Sequence, residues 1–272
     1  MIKLIVSDLD GTLLNSQKML SENSRRVIRE LEDRGIIFVA ASGRSRPSIL
    51  SYFGNTPIAT VSDNGGTAYS AKGELLFVGD FSYEKAKPVM EVIRETSYMH
   101  LALIGVDNIY VQEDSPQEHK DFVARFFNNM IQIVPNLDEM FFVDKMSKLS
   151  INTGGHRKNE KKGMELMRQF EEDFSLVLSG DGWVDLMKKG VTKGSTLERL
   201  CEHYGIAMDE TIAFGDYLND LDMLMRTPNS YAIANAQPNI KEACAHVTRY
   251  TNDEDGVARA LIDIFGLSPI ED

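Results

Sequence analysis

Residues 1–14 read Met-Ile-Lys-Leu-Ile-Val-Ser-Asp-Leu-Asp-Gly-Thr-Leu-Leu, and the reading of this stretch decides the fold. Ile2–Ser7 is a short β-rich run of the kind that forms a strand buried on both faces of a parallel sheet. Two acids separated by one residue follow it, and Gly11 permits the chain to turn there. In open α/β sheets ligands bind beyond the carboxyl ends of the strands. Asp8 and Asp10 therefore stand where chemistry is expected. One carboxylate there can attack phosphorus as a nucleophile. The other can act as acid to a leaving group and then as base toward water. The plain alternative is a solvated turn.

Outward from this stretch, strands and helices alternate. Ser21 is a candidate N-cap, Val27, Ile28 and Leu31 recur at helical spacing, and Gly35 suits the helix end. Ile36–Ala40 predicts a second strand, Arg46–Phe53 a short helix with Pro47 in its first turn, and Ile58–Val61 a third strand. This alternation indicates a parallel α/β sheet. The rhythm changes near Gly66, where Ala68–Tyr69 and Leu75–Val78 predict a hairpin around Lys72-Gly73. Between Tyr83 and Trp183, helices at Tyr83–Thr96, Glu118–Phe127 and Asn159–Glu172 mix with strands at Leu101–Ile104, Asn108–Val111, Lys148–Asn152, Phe174–Leu178 and Trp183–Met187. That order predicts an α+β unit on an antiparallel sheet. The earlier rhythm then returns, with strands at Thr211–Phe214, Tyr231–Ala234 and His246–Thr248. Helices are expected at Thr192–Tyr204, Asp220–Met225, Asn239–Ala243 and Gly256–Phe265. The expectation is a discontinuous α/β core, residues 1–80 and 188–272, with an α+β cap domain inserted at 81–187.

At 272 residues and 43% hydrophobic content the chain can bury a sizeable core. Its 29 basic and 41 acidic residues leave a net charge of −12. That balance argues against nucleic acid, which needs a basic face, and against an anionic membrane surface. No segment has the apolar length of a membrane span, and the N-terminal apolar run is too short for a signal peptide. A cytoplasmic location is expected. Cys201 and Cys244 lack metal spacing and read as free thiols. An acidic chain that handles phosphates must gather positive charge locally, from a metal and a few placed cations.

Three further segments supply candidates. Ala41-Ser42-Gly43-Arg44 follows the second strand, where a hydroxyl, a glycine amide and a helix start can cradle an anion. Lys193, in Gly190-Val191-Thr192-Lys193-Gly194, opens a helix, an unfavourable place for a cation unless it faces an anion. Gly215-Asp216-Tyr217-Leu218-Asn219-Asp220 sets two acids and an amide at a strand tip, oxygen ligands that suit Mg²⁺. Each has an ordinary reading alone, as a small N-cap, an exposed lysine or an aspartate cap. In this order, on one sheet edge, they read as one site.

Together these motifs resemble the haloacid dehalogenase superfamily of phosphohydrolases, in its Cof-type branch with the cap inserted after the third strand. The resemblance rests on Asp8-Leu9-Asp10-Gly11-Thr12-Leu13-Leu14, Ser42-Gly43-Arg44, Asp63-Asn64-Gly65, Lys193-Gly194, and Gly215-Asp216 with Asn219-Asp220. It covers the whole chain and implies a Rossmann-like core. It also implies Asp8 as nucleophile, Asp10 as acid/base, and Mg²⁺ on the carboxylates of Asp8 and Asp216 and the backbone carbonyl of Asp10. Ser42 and Gly43 would hold the phosphoryl group, and Lys193 would neutralise it and orient Asp8. Asn219 and Asp220 would order the phosphate and metal shell. Ser42 stands where many members carry Thr, and Lys188 where many carry Pro.

Arg44 has two readings, a contact to the substrate or a brace for its loop. The Asn64-Gly65-Gly66 loop either faces the substrate or is a plain turn. His100, His119 and His156 read as surface or packing residues, and the pairs Phe126-Phe127 and Phe141-Phe142 as packing for the cap sheet. Asp185 is a candidate specificity residue. Three functions stay open. One is hydrolysis of a small phosphorylated metabolite, such as a sugar phosphate or phosphorylated cofactor, by a monomer or small homo-oligomer. The second is a mutase or phosphotransferase on the same core. The third is a regulator that binds a phosphorylated ligand without chemistry.

Overall fold

The computed structural model describes residues 1–127, 131–154, 157–180 and 182–270. The chain divides into two compact units, residues 1–77 with 192–272 and residues 78–191.

The first unit opens with β1 (Leu4–Ser7), every residue of which is buried. It is followed by α1 (Glu22–Asp33), β2 (Ile37–Ala41), α2 (Arg46–Leu50) and β3 (Ala59–Ser62). Then come β4 (Thr67–Tyr69) and β5 (Leu75–Val78). Helix α1 starts where Ser21 Oγ accepts the Ser24 amide at 3.0 Å, and it buries Val27, Ile28 and Leu31. Gly35 takes φ +78° just beyond its end, a conformation glycine reaches without strain.

The second unit contains α3 (Tyr83–Arg94), β6 (His100–Gly105), β7 (Ile109–Gln112), α4 (Gln117–Phe126) and β8 (Gln132–Val134). It continues through β9 (Met146–Asn152), α5 (Arg157–Met167), β10 (Phe174–Gly180) and β11 (Trp183–Lys188). The chain then returns to the first unit with α6 (Lys193–Tyr204), β12 (Thr211–Gly215) and α7 (Leu221–Met225). It closes with β13 (Asn229–Ala232), α8 (Pro238–Ala243), β14 (His246–Val247) and α9 (Gly256–Phe265).

The strand order of the first sheet is β14-β13-β12-β1-β2-β3-β4-β5. All strands from β14 to β3 run parallel, and β4 pairs antiparallel with β3. The central position of β1, between β2 and β12, accounts for its unbroken apolar pattern. The chain leaves β1 toward β2 and β3 and later returns on the other side at β12. The tips of β1 and β12 therefore form the topological switch point, where such sheets bind ligands.

The second sheet runs β10-β11-β9-β6-β7-β8. It is antiparallel as expected, except that β8 joins β7 in parallel. Strand β8 is not among the expected strands, because three residues ending just before Pro135 carry too little pattern. One apolar core of this unit holds Ala86, Val89, Met90 and Ile93 of α3 with Leu149, Ile151, Val184 and Leu186 of the sheet. Another gathers Val123 and Phe127 with Ala102, Ile104, Val111 and Trp183.

Phe126 and Phe127 pack on Trp183, with centroids 5.2 and 6.1 Å away. Phe141 meets Phe81 and Tyr83 from a short 3-10 turn, but Phe142 is 78% exposed and packs no sheet. His119 is a packing residue: burial lowers its pKa to about 4, and its Nε2 lies 3.1 Å from the Leu101 carbonyl. His156 lies outside the described residues. Asp185 is buried, and its carboxylate accepts hydrogen bonds from Lys148 (3.1 Å), Ser150 (2.6 Å) and Ser179 (2.5 Å). Cys201 and Cys244 are free thiols, the first buried. No described helix is long and apolar enough to cross a membrane.

Candidate active site

Every strand tip of the first sheet that the sequence singled out delivers its residue to the same end. Asp8 follows β1, Ser42 follows β2, Asp63 follows β3 and Asp216 follows β12, while Lys193 opens α6. The Asp8 amide donates to Phe214 O (3.0 Å), and the Ser42 amide to Val61 O (2.9 Å), so the ladders hold these tips in register.

The centre is a buried charge cluster. Lys193, only 1% exposed, donates to Asp8 Oδ1 at 2.6 Å and to Asp220 Oδ1 at 2.7 Å. A cation in the first turn of a helix opposes the dipole, and the two carboxylates supply the compensation. Thr192 caps the helix with Ser195 in a reciprocal box, which fixes where Lys193 begins. Asp220 is fully buried and also braces the loop after β12, where its Oδ2 accepts the amides of Asp216 and Tyr217, both at 3.1 Å. Thr12 Oγ1 donates to Asp216 Oδ1 at 3.0 Å.

Three acids here face one lysine. Burial, reinforced by Asp220, pushes the Asp8 carboxyl well above its usual range despite Lys193. Burial and Asp220 likewise raise Asp216 to about 6. Burial works against the Lys193 charge, but Asp220 and Asp8 outweigh it and keep the ammonium protonated. Negative charge is thus left over. One carboxylate oxygen from each of Asp8, Asp216 and Asp220 lies within 4.8 Å of the others. An all-oxygen donor set with uncompensated charge fits a hard divalent cation such as Mg²⁺.

Asp10 stands apart from that group. Its Oδ2 accepts Arg44 Nε at 2.7 Å, and its Oδ1 accepts Arg44 Nη2 and Lys18 Nζ, both at 2.8 Å. Burial alone would raise its pKa, but these cations bring it down to about 2. The Asp10 side chain, expected among the metal ligands, is not one of the carboxylates that gather within 4.8 Å of one another. Arg44, one of the expected phosphate contacts, directs its guanidinium at Asp10. Ser42 Oγ accepts the Arg44 amide at 3.2 Å, and Asn219 Nδ2 donates to Asn64 Oδ1 at 3.1 Å.

The loop after β3 is more than a plain turn. Asp63, Asn64 and Gly65 take φ of 54°, 56° and 102° in succession. Such backbone is kept only where its surroundings enforce it. The Asp63 amide donates to Arg44 O, the Asn64 amide to Ser42 O, and Thr196 Oγ1 to Gly65 O (2.7 Å). A Cβ on Gly65 would stand 2.3 Å from Thr192 O, at the cap of the Lys193 helix. Gly65→Ala is therefore expected to destabilise the fold by about 1–3 kcal/mol from backbone strain alone and to lower activity through Lys193. Thermal melting alongside phosphate release checks this, and an unchanged Tm would contradict it.

The sequence reading assigned no role to Lys18, Thr12 or Thr196. The one local signal for Lys18 is Asn15, a turn former whose Oδ1 accepts the amides of Gln17 and Met19. Gly11, at φ +89°, sits so close to Asp216 that a Cβ would meet Oδ2 at 2.6 Å.

The chain matches known proteins along nearly its whole length. The family model of the haloacid dehalogenase-like hydrolases matches residues 5–261. The chain is similar to Phosphatase YwpJ of Bacillus subtilis, at 27% identity over 96% of this chain and 99% of the relative. It is also similar to the 5-amino-6-(5-phospho-D-ribitylamino)uracil phosphatase YbjI of Escherichia coli, at 29% identity over 94% and 93%. Among solved structures, TM0651 of Thermotoga maritima superposes with a TM-score of 0.83 at 30% identity, over 99% of both chains.

Proposed function

The chain belongs to the haloacid dehalogenase-like hydrolase family and is a phosphatase, and from that premise we propose that it is Mg²⁺-dependent and works through a phosphoryl-Asp8 intermediate. The observation that carries this reading is the pairing of Asp8 with buried Lys193, beside two further acids. Lys193 holds Asp8 Oδ1, so the other oxygen is the one assigned to attack phosphorus. As that bond forms, the ester P–O bond breaks and its electron pair goes to the leaving oxygen, which takes a proton from Asp10. Because Arg44 and Lys18 keep Asp10 ionised in the empty site, that proton is one the substrate brings as a phosphate monoanion and passes to Asp10 on binding. Water then attacks the phosphoryl group and gives Asp10 a proton. The bond to Asp8 breaks, its carboxylate is regenerated and inorganic phosphate departs.

Asp8 and Asp216, with the Asp10 carbonyl, would hold Mg²⁺, and Asp220 would set the loop behind them. The cation would neutralise the meeting of a carboxylate with a phosphate dianion, which otherwise repel. Ser42 and the Gly43 amide are assigned to the phosphoryl oxygens, with Asn219 at the rim. Substrate choice is assigned to the inserted unit, on the family resemblance.

The proposed substrates are small phosphorylated metabolites. The ribitylaminouracil phosphate named for the Escherichia coli relative is the first to test. A panel of phosphate esters with Mg²⁺, read as free phosphate, tests the proposal. An isomerised ester in place of free phosphate would indicate a mutase. Tight binding with no turnover of any ester would indicate a regulator.

A thermal test reads the metal separately. The folded protein keeps a proton on Asp216 up to about pH 6, whereas the unfolded chain releases it near 3.8. An acid with a raised folded pKa loses stability as pH rises through that window, and the full cost persists above it. A cation in the proton's place removes the cost. Mg²⁺ is therefore expected to raise Tm more at pH 8 than at pH 5. Equal shifts at both would contradict the assigned site.

A further inference from the structure

We infer that Arg44, assisted by Lys18, is a positioning residue for Asp10 and not a ligand of the phosphate; the inference rests on the phosphatase reading above. The fork geometry carries it. Arg44 meets both oxygens of Asp10, at 2.7 and 2.8 Å, which fixes the plane of the carboxylate as a lone ammonium cannot.

Arg44 is itself held on three sides. Its guanidinium carbon lies 5.4 Å from the centre of the Tyr52 ring, its amide donates to Ser42 Oγ, and its carbonyl accepts the Asp63 amide. The clamp therefore ties Asp10 to the tips of β2 and β3.

Lys18 closes the other side. It sits at φ +59°, unusual for a lysine, in the turn organised by Asn15, and its Nζ reaches Asp10 Oδ1 at 2.8 Å. The backbone cost of that φ is retained where it delivers a side chain to a site. Its side chain is 54% exposed, so its contribution to stability is small.

The consequence is an asymmetry within Asp10. Among the described residues Oδ1 accepts two hydrogen bonds and Oδ2 accepts one. Oδ2 keeps a lone pair free, so it is the oxygen open to take the proton a bound phosphate monoanion brings, pass it to the leaving group and then accept one from water. Proton transfer requires that oxygen within hydrogen-bond reach of its partner. The fork sets where it points.

The test uses two esters of the same shape. p-Nitrophenolate leaves without a proton, whereas phenolate leaves far better with one. Release of the phenol in the first turnover is followed for p-nitrophenyl phosphate and phenyl phosphate with Mg²⁺. Arg44→Ala is expected to slow phenyl phosphate by about a hundredfold and p-nitrophenyl phosphate much less, with KM little changed. Lys18→Ala, at an exposed residue, is expected to show the same selectivity at smaller size. In an Asp10→Asn background Arg44→Ala is expected to cost nothing further.

Equal losses on both esters, or a loss confined to KM, would mark Arg44 as a phosphate ligand and overturn the inference. A further loss in the Asp10→Asn background would do the same. If the wild-type protein turns over neither these esters nor any ester of the metabolite panel, the phosphatase reading fails first and the inference falls with it.

Discussion

Asp8→Asn is expected to abolish phosphate release while leaving the fold intact. Asparagine has nearly the same shape, and its carbonyl oxygen still accepts a hydrogen bond from Lys193. It loses the anionic oxygen that attacks phosphorus. Removing a catalytic nucleophile typically costs on the order of 10⁵-fold or more in kcat. The stability change runs the other way. Burial and Asp220 already raise the Asp8 pKa, so its charge is disfavoured in the folded protein at neutral pH. The variant should melt no lower than the wild type at pH 7. This is the usual trade at an active site, where charge is crowded for function at the expense of stability. Phosphate release and a melting curve on the same preparation check both halves. Retained activity would remove Asp8 from the chemistry, and a collapsed fold would mean that its charge is structural.

Lys193→Met is expected to lose both activity and stability. The methionine nearly fills the volume but leaves Asp8 and Asp220 buried without their shared cation. Breaking a buried ion pair from one side costs about 3–5 kcal/mol. The cost should be largest at high pH, because the Asp8 carboxyl, already pushed up by burial, takes a proton in acid. The Tm deficit is therefore expected to shrink from pH 8 to pH 5, the sign of acids whose folded pKa is raised. Activity should fall about 10²–10³-fold or more, since Lys193 is the preorganised cation facing the reacting charge. A Tm deficit independent of pH would show that Lys193 acts by packing alone.

The parts of the fold and site legible in the sequence are those governed by neighbours in the chain. Strand β1 is apolar because it lies between two parallel partners, and the acids follow it because strand tips are where side chains leave the sheet. Helix α1 announced its start with Ser21 and its end with Gly35. Lys193 stood out because a cation at a helix start requires an anion.

Distant choices were not legible. Arg44 and Asp10 are 34 residues apart, and only the folded loop shows that the guanidinium turns to Asp10. Asp220 gave an acid of the right type, but not its grip on the amides of Asp216 and Tyr217. The three positive φ values at Asp63–Gly65 leave no mark in composition beyond Asn-Gly. Phe142 shows the limit of hydrophobicity as a guide, since an aromatic residue in a short 3-10 turn can face water.

The claim that Asp8 forms a covalent bond to phosphorus is tested most directly by trapping that bond. The Asp10→Asn variant lacks the base for the second step, and with p-nitrophenyl phosphate, whose leaving group needs no proton in the first, it should accumulate the intermediate. It is mixed with Mg²⁺ and that ester, quenched in acid, digested and weighed by mass spectrometry. The account predicts one added phosphoryl group on the peptide that contains Asp8, absent when Asp8 is also changed to Asn. Substrate turnover by the wild type with no phosphoryl group on that peptide, or with the group on another residue, would contradict it.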